Sequence, residues 1–460
     1  MKIETTNYKY RYMARFIVET ETPLALGSGE KDIISDALVA TDVNGLPYLP
    51  GSSIAGVMRH AYSGKADEIF GFQKDNGGHG SLVIFSEGKI IGADGNVIDG
   101  ILLEKEKKSD FIKRYKKLPV RQHVRINDKG TAVKAGKFDE QVVYAGTRFC
   151  FEMEILAEDE KKKDTFEQLI GIAKSESFRL GGGTRSGFGK MKVINVMTKE
   201  LNLTVADELK AYLDKPSELT CDNLWWGEAE NTDNLKEDAR YIKYELTLQP
   251  EDFFMFGSGF GTEDGNADMT CVRESRVQWT DNKPEFVDEC ILIPATSIKG
   301  ALRHRVAFYY NKEEKRWAGS AEAKTADENE AVIALFGNSG NGDKSDEMTM
   351  GNVIFNDIVE KKDDVKTKLL NHVAIDRFTG GAIDGALFTE QVDYGKGVEF
   401  QTTILLKKTD EITDKYVNCF ELALTDIITG MLPLGGGVNR GNGIFSGSIT
   451  KDGKEQPWTE

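Results

Sequence analysis

The chain says the same thing twice, in the same order. Pro50, Ser53, Ile54, Gly56, Arg59 and His60 return 244 residues later as Pro294, Ser297, Ile298, Gly300, Arg303 and His304. Phe70-Gly71 returns as Phe336-Gly337, and Val83-Ile84-Phe85 as Val353-Ile354-Phe355. His123-Val124 and the run Phe138 to Val142 return as His372-Val373 and Phe388 to Val392. Last, the glycine-rich run Leu180 to Gly189 returns as Leu434 to Gly443. The offset climbs from 244 to 270 and falls back to between 249 and 254, as differing loop lengths produce. A collinear repeat of this length means two copies of one folding unit, each closing its own core. The boundaries read as a first domain over 1–198, an acidic linker over 199–238, a second domain over 239–453 and a tail over 454–460.

Each copy reads as strand, loop, helix, strands, helix, strand. Tyr241 to Leu248 alternates polar and apolar residues, and Arg15 to Thr20 holds a β-prone Phe-Ile-Val core. Ser52 or Ser53, and Thr296 or Ser297, follow a proline and precede an apolar-periodic run, which predicts a helix N-cap there. Thr165 to Ser175 and Cys419 to Thr429 have helical amphipathicity, and a strand such as Lys190 to Val196 follows the glycine run. The expected fold class is α+β: two tandem ferredoxin-like (RRM-like) domains with long insertions, Phe72 to Leu118 and Tyr310 to Glu330 being the longest.

Composition narrows the function. The five cysteines are odd in number, and the closest two, Cys271 and Cys290, have eighteen residues between them. Neither a zinc knuckle nor a disulfide framework is signalled, which points to a reducing cytoplasm. No run of about 18 uncharged apolar residues signals a membrane partner, and no apolar leader follows Met1. A net charge of −16 excludes a protein that coats nucleic acid with its whole surface, but not one with a local basic groove.

The glycine run offers Gly182, Gly183, Thr184 and Arg185 in copy one and Gly436, Gly437, Asn439 and Arg440 in copy two. Outward N–H groups and adjoining cations suit phosphate, whereas a tight turn passing close to a helix explains the same glycines. The turns before the helices present Ser52, Ser53 and Ser297 at a helix N-terminus, with Arg59, Lys299 and Arg303 inside the helix. His60 and His304 have no triad partner in sequence.

Leu24 to Gly29, Asp36 to Asp42, Leu46 to Gly56 and the Gly181 to Gly189 loop resemble the RAMP superfamily of CRISPR-associated proteins. The string His372 to Glu390 is similar to the repeated backbone subunit of type III effector complexes, so the chain resembles a fusion of two such subunits, as in type III-D-like systems. The resemblance implies a guide-RNA-gripping core, a thumb hairpin that kinks the guide–target duplex, and cleavage of target RNA by one loop aspartate per copy. That aspartate acts with a divalent metal, Mg²⁺ being the expected ion, and the neighbouring 2′-hydroxyl is the nucleophile. It falls on Asp36 and, six residues before the matching second acid, on Asp268; Asp32 and Asp264 are rivals. Thumb contacts to RNA fall on His123 and Arg125 in copy one and on His372, Arg377 and Phe378 in copy two. The implied partners are guide RNA, target RNA and other CRISPR effector subunits. Two other readings remain: a non-catalytic RNA-binding scaffold, and a metal-independent guide-processing nuclease using His60 or His304. A nucleotide-metabolising α/β enzyme is disfavoured by the position of the glycine run.

Overall fold

Alternation decides the second domain's central strand. Along Tyr241–Pro250, Tyr244, Leu246 and Leu248 are buried while Glu245 is exposed between them, so one face of the strand meets a core. That core is closed by the helix Ala295–Glu313, where Ile298, Leu302, Val306 and Tyr310 recur every four residues and are all buried. The helix Asp414–Ile428 adds Phe420, Leu424 and Ile427 to the same cluster. Each such side chain contributes about 1.5–3 kcal/mol through burial. In the first domain Ile54 and Met58 of the helix Gly51–Ala61, with Phe166 and Leu169 of Lys162–Ala173, close the matching core. The structure, a computed structural model, describes residues 8–29, 36–74, 77–103, 109–222, 224–227, 230–231, 237–257, 267–317, 319–338 and 348–455. Asp32 and Asp264 lie outside the described residues, as does the stretch 104–108. Among the described residues no helix is long and apolar enough to cross a membrane.

The two sheets have one topology. In the first domain Tyr10–Thr20 pairs with Arg148–Ala157 on one side and Met191–Asn202 on the other, and Val83–Phe85 adds beyond Arg148–Ala157. In the second, Tyr241–Pro250 lies between Phe400–Lys407 and Phe445–Lys451, with Val353–Ile354 at the matching outer place. Both are antiparallel in the ferredoxin-like order fourth, first, third, second. From each domain a long hairpin rises: Val120–Ile126 with Ala132–Gln141, and Lys366–Ile375 with Ala382–Tyr394.

Three expectations need correction. The caps lie two or three residues before the expected ones: Pro50 and Pro294 are the N-caps, without side-chain cap bonds. Pro294 cannot cap through a side chain, and the Asp357 carboxylate accepts the Ala295 N–H at 2.7 Å instead, a cap supplied from another loop. The insertion Phe72 to Leu118 is not one long loop. It contains Val83–Phe85 and the helix Asp110–Tyr115, which buries Phe111, Ile112 and Tyr115. The opening strand Tyr10–Thr20 fails to alternate because both of its faces are covered. The acidic segment packs on its second face: Arg15, 1% exposed, donates to Glu152, to Thr220 O at 3.0 Å and to Glu218 O at 3.2 Å, and Trp226 lies buried beside it.

The copies are joined through an arm that only the second one carries. Arg273–Thr280 and Lys283–Ile293 form a hairpin closed by Asp281 and Asn282, both at positive φ, as a two-residue turn requires. This arm occupies the extra chain before Pro294. Phe286 packs against Phe111, Tyr115 and Tyr144 of the first domain, and Trp279 Nε1–H donates to Gly146 O at 2.7 Å. Below the contact Arg121, 6% exposed, donates to Glu274 Oε2 at 2.6 Å and to Asp357 Oδ2 at 3.0 Å. Burial opposes its charge, and Glu274 and then Asp357 outweigh that opposition.

Arg121→Ala leaves two carboxylates buried without their counter-charge. The expected loss is about 3–5 kcal/mol, read from urea unfolding. Arg125→Ala, which breaks the exposed pair with Asp327, is expected to cost about 1 kcal/mol or less in the same measurement.

Candidate functional site

The repeated run Phe138 to Val142, and Phe388 to Val392, lies at the end of the returning strand of each hairpin, and each candidate aspartate is docked on it. Asp36 donates its N–H to Asp139 O at 2.9 Å, and its Oδ2 accepts the Asp139 N–H at 3.1 Å. Asp268 donates to Thr389 O at 3.0 Å, and its Oδ2 accepts the Thr389 N–H at 2.7 Å and the Thr389 hydroxyl at 3.1 Å. The following residues add the same short parallel pairing, Ala37 with Glu140 and Met269 with Glu390. Both aspartates remain exposed. The two loops are thus held alike, at the foot of each hairpin.

The second acids have other duties. Asp42 caps its own turn, accepting from Asn44 N–H at 2.8 Å and Leu46 N–H at 3.0 Å, while Glu274 belongs to the buried pair with Arg121. One residue along from each docking site stands a glutamate beside the hairpin histidine. His123 Nε2 lies 2.9 Å from Glu140 Oε1, and His372 Nε2 lies 2.9 Å from Glu390 Oε1. Each ring stacks on the facing phenylalanine, Phe138 or Phe388, with centroids 4.7 Å apart in both copies. Sequence reasoning missed these glutamates and the docking residues Asp139 and Thr389. The signal was present in the Phe138 to Val142 repeat, which shows no chemistry until the hairpin is folded.

The glycine runs sit beneath the hairpins. The Gly182, Ser186, Phe188 and Gly189 N–H groups bond to backbone carbonyls, and in copy two those of Gly436, Arg440, Asn442 and Gly443 do the same. Gly189 and Gly443 have φ of +76° and +81°, and a Cβ there would lie 2.0 and 1.9 Å from the carbonyl oxygens of Leu180 and Leu434. No side chain fits, so the tight turn alone accounts for these two glycines. The crests, Gly183 to Arg185 and Gly437 to Asn439, are the portions whose N–H groups are not spent on those carbonyls.

The cations named from sequence are mostly paired. Arg59 donates to Gly71 O at 2.6 Å and to Asp67, Arg303 and Arg125 share Asp327, and Arg440 holds Glu390. Arg185 bonds to Gly351 O of the second domain. Lys299 differs: it has no carboxylate partner among the described residues, and burial, then Arg303 and Arg185, push its ammonium down to about 8. Ser52 and His60 are exposed, and Ser53 and Ser297 half-buried, in the first turns or along the same helix faces. His304 is half-buried, with burial and Arg303 lowering its pKa. At the second hairpin's tip Arg377 has no partner among the described residues, and Phe378 is 99% exposed.

Among the described residues no three His, Cys, Asp or Glu side chains converge as a metal cage. One exposed carboxylate per loop suits Mg²⁺, which keeps waters and takes one or two carboxylates with substrate phosphate. Asp36 and Asp268 are the residues that would hold it.

Asp268→Ala removes the acceptor of both the Thr389 N–H and hydroxyl. Amide exchange at Thr389 is expected to quicken about tenfold, and Asp36→Ala should quicken exchange at Asp139 less, since one bond is lost there. Hydrogen exchange read by mass spectrometry checks the order.

The chain was compared with known proteins. It is 27% identical over 256 residues to the CRISPR system Cms endoribonuclease Csm3 of Methanocaldococcus jannaschii, an alignment covering 49% of this chain and 98% of that protein. The RAMP superfamily model matches residues 17–192 and again 251–446, one match per repeated domain. With two such units spanning most of its length, the chain belongs to the RAMP superfamily.

Proposed function

We propose that this protein is a double backbone subunit of a type III CRISPR effector complex, holding guide RNA along both domains and cutting complementary target RNA at two loop aspartates. The observation that carries the cleavage reading is the matching placement of Asp36 and Asp268 at the foot of the two hairpins. Each carboxylate docks its loop on the hairpin and still faces solvent in both copies, as an acid that meets a bound strand must. The similarity to a protein named an endoribonuclease supports the same class of chemistry.

RNA carries its own nucleophile, so little is asked of the protein. A hairpin such as Lys366–Ile375/Ala382–Tyr394, with Phe378 at its tip, is built to splay one base out of a duplex. The bend brings a 2′-hydroxyl into line with the next phosphorus. The aspartate, aimed from the hairpin's foot, accepts the 2′-OH proton as the 2′-oxygen attacks. The P–O5′ bond breaks, the departing 5′-oxygen takes a proton from water, and a 2′,3′-cyclic phosphate and a 5′-hydroxyl result. A bound Mg²⁺ would neutralise charge on the phosphate oxygens.

Assembly with guide RNA, followed by target cleavage in Mg²⁺, tests the reading. Asp36→Ala and Asp268→Ala are each expected to abolish a different one of two cuts by about a hundredfold or more, with guide retention unchanged. EDTA should stop both. Two cuts persisting in the double variant would leave only the scaffold.

A further inference from the structure

The acidic segment is held against the first sheet on one side and shows apolar side chains to water on the other. Its helix, Ala206–Leu213, packs Ala211 and Tyr212 beside Met13, Met197, Leu201 and Trp226. Tyr212 O–H donates to Glu154 at 2.8 Å, Trp225 Nε1–H donates to Ala211 O at 2.9 Å, and just past the helix Lys215 holds Glu152 at 2.6 Å. On the outer side Val205, Leu209 and Leu213 recur every four residues, one stripe along the helix, and all three are exposed, Leu213 the most at 72%. Leu224, next to the Trp225 that grips the helix, is 91% exposed.

The repeated unit does not need this face. In the second domain the matching strand, Phe445–Lys451, runs into a short turn and Lys454–Glu455, and that core closes without such a helix. Single exposed apolar residues are ordinary, but a stripe of them on an anchored helix marks a surface that meets a partner. The charge around the stripe selects the partner. Asp207, Asp214 and Glu218 are exposed, and among the described residues no cation pairs with their carboxylates. Lys215 is taken by Glu152, which leaves Lys210 against three open acids. Such a rim repels RNA phosphate, anionic lipid and the same face of a second copy, and it attracts Lys and Arg.

We infer that the stripe of Val205, Leu209 and Leu213 seats a basic amphipathic segment of another protein, whose apolar side chains cover the leucines while its lysines or arginines meet Asp207, Asp214 and Glu218. The inference rests on the chain being one subunit of a larger assembly, and it is independent of cleavage. The photo-crosslinker p-benzoylphenylalanine in place of Leu213, in the intact assembly purified with its guide RNA, tests it. Asp207→Lys combined with Asp214→Lys reverses the rim and leaves the other apolar residues in place. Unchanged fluorescence of Trp225 and Trp226, which pack against the helix, reports that the segment keeps its fold.

Peptide sequencing of the Leu213 product is expected to find a stretch of another protein with apolar residues at helical spacing among Lys and Arg. The reversed rim is expected to reduce that product about tenfold. A crosslink to RNA, to a second copy of this chain or to an acidic or uncharged stretch would overturn the inference. So would the lack of any crosslink in an assembly holding RNA and other chains, or a product that the reversed rim leaves unchanged. A chain that purifies with neither RNA nor other proteins would remove the subunit reading, and this inference with it.

Discussion

The geometry of the molecule depends on one buried guanidinium. Arg121 stands at the root of the first hairpin and is held by two acids of the second domain, Glu274 on the arm and Asp357 beside the helix Ala295–Glu313. Removing such a group from water is costly, and only two close carboxylates repay the cost. Asp357 meanwhile accepts the first N–H of that helix. A single network thus ties the first hairpin, the arm and the second domain's helix start. Two candidate acids docked on two hairpins then keep a fixed relation, as any pair of cuts on one continuous strand requires.

Much of this was legible in the residues. The repeat gave the two-domain plan and the sheet order, because each copy carries the same apolar positions at the same spacing. Ile54 and Met58 predict Ile298 and Leu302, and all four are buried. The resemblance placed the candidate acids at Asp36 and Asp268, with equal spacing in support, and the structure docks each on the second strand of its own hairpin. The helix caps were not legible. The group that meets the Ala295 N–H comes from Asp357, 62 residues away, and no local pattern announces it. The arm was not legible either, since its purpose lies in Phe111, Tyr115 and Tyr144 of the other copy. The acidic segment read as a linker by charge, but its apolar residues and Thr220 cover Arg15 and the back of a sheet.

Comparison of the copies separates what the fold needs from what position along the chain needs. The glycines next to Leu180 and Leu434, the His–Phe stack and the Glu partner are kept in both. These belong to the unit itself: without them the hairpin foot and the loop beneath it cannot pass so close. The hairpin cations are not kept. Arg125 of the first hairpin is spent on Asp327, whereas Arg377 and Phe378 of the second hairpin face solvent. One hairpin is therefore partly an inter-domain strut and the other is free at its tip. On the proposed function, the first hairpin would bend a duplex braced by protein and the second would depend on its own Phe378. A strand running across both would then be gripped asymmetrically, and a difference in rate between two cuts would have two sources, the unequal hairpins and the unequal docking of Asp36 and Asp268.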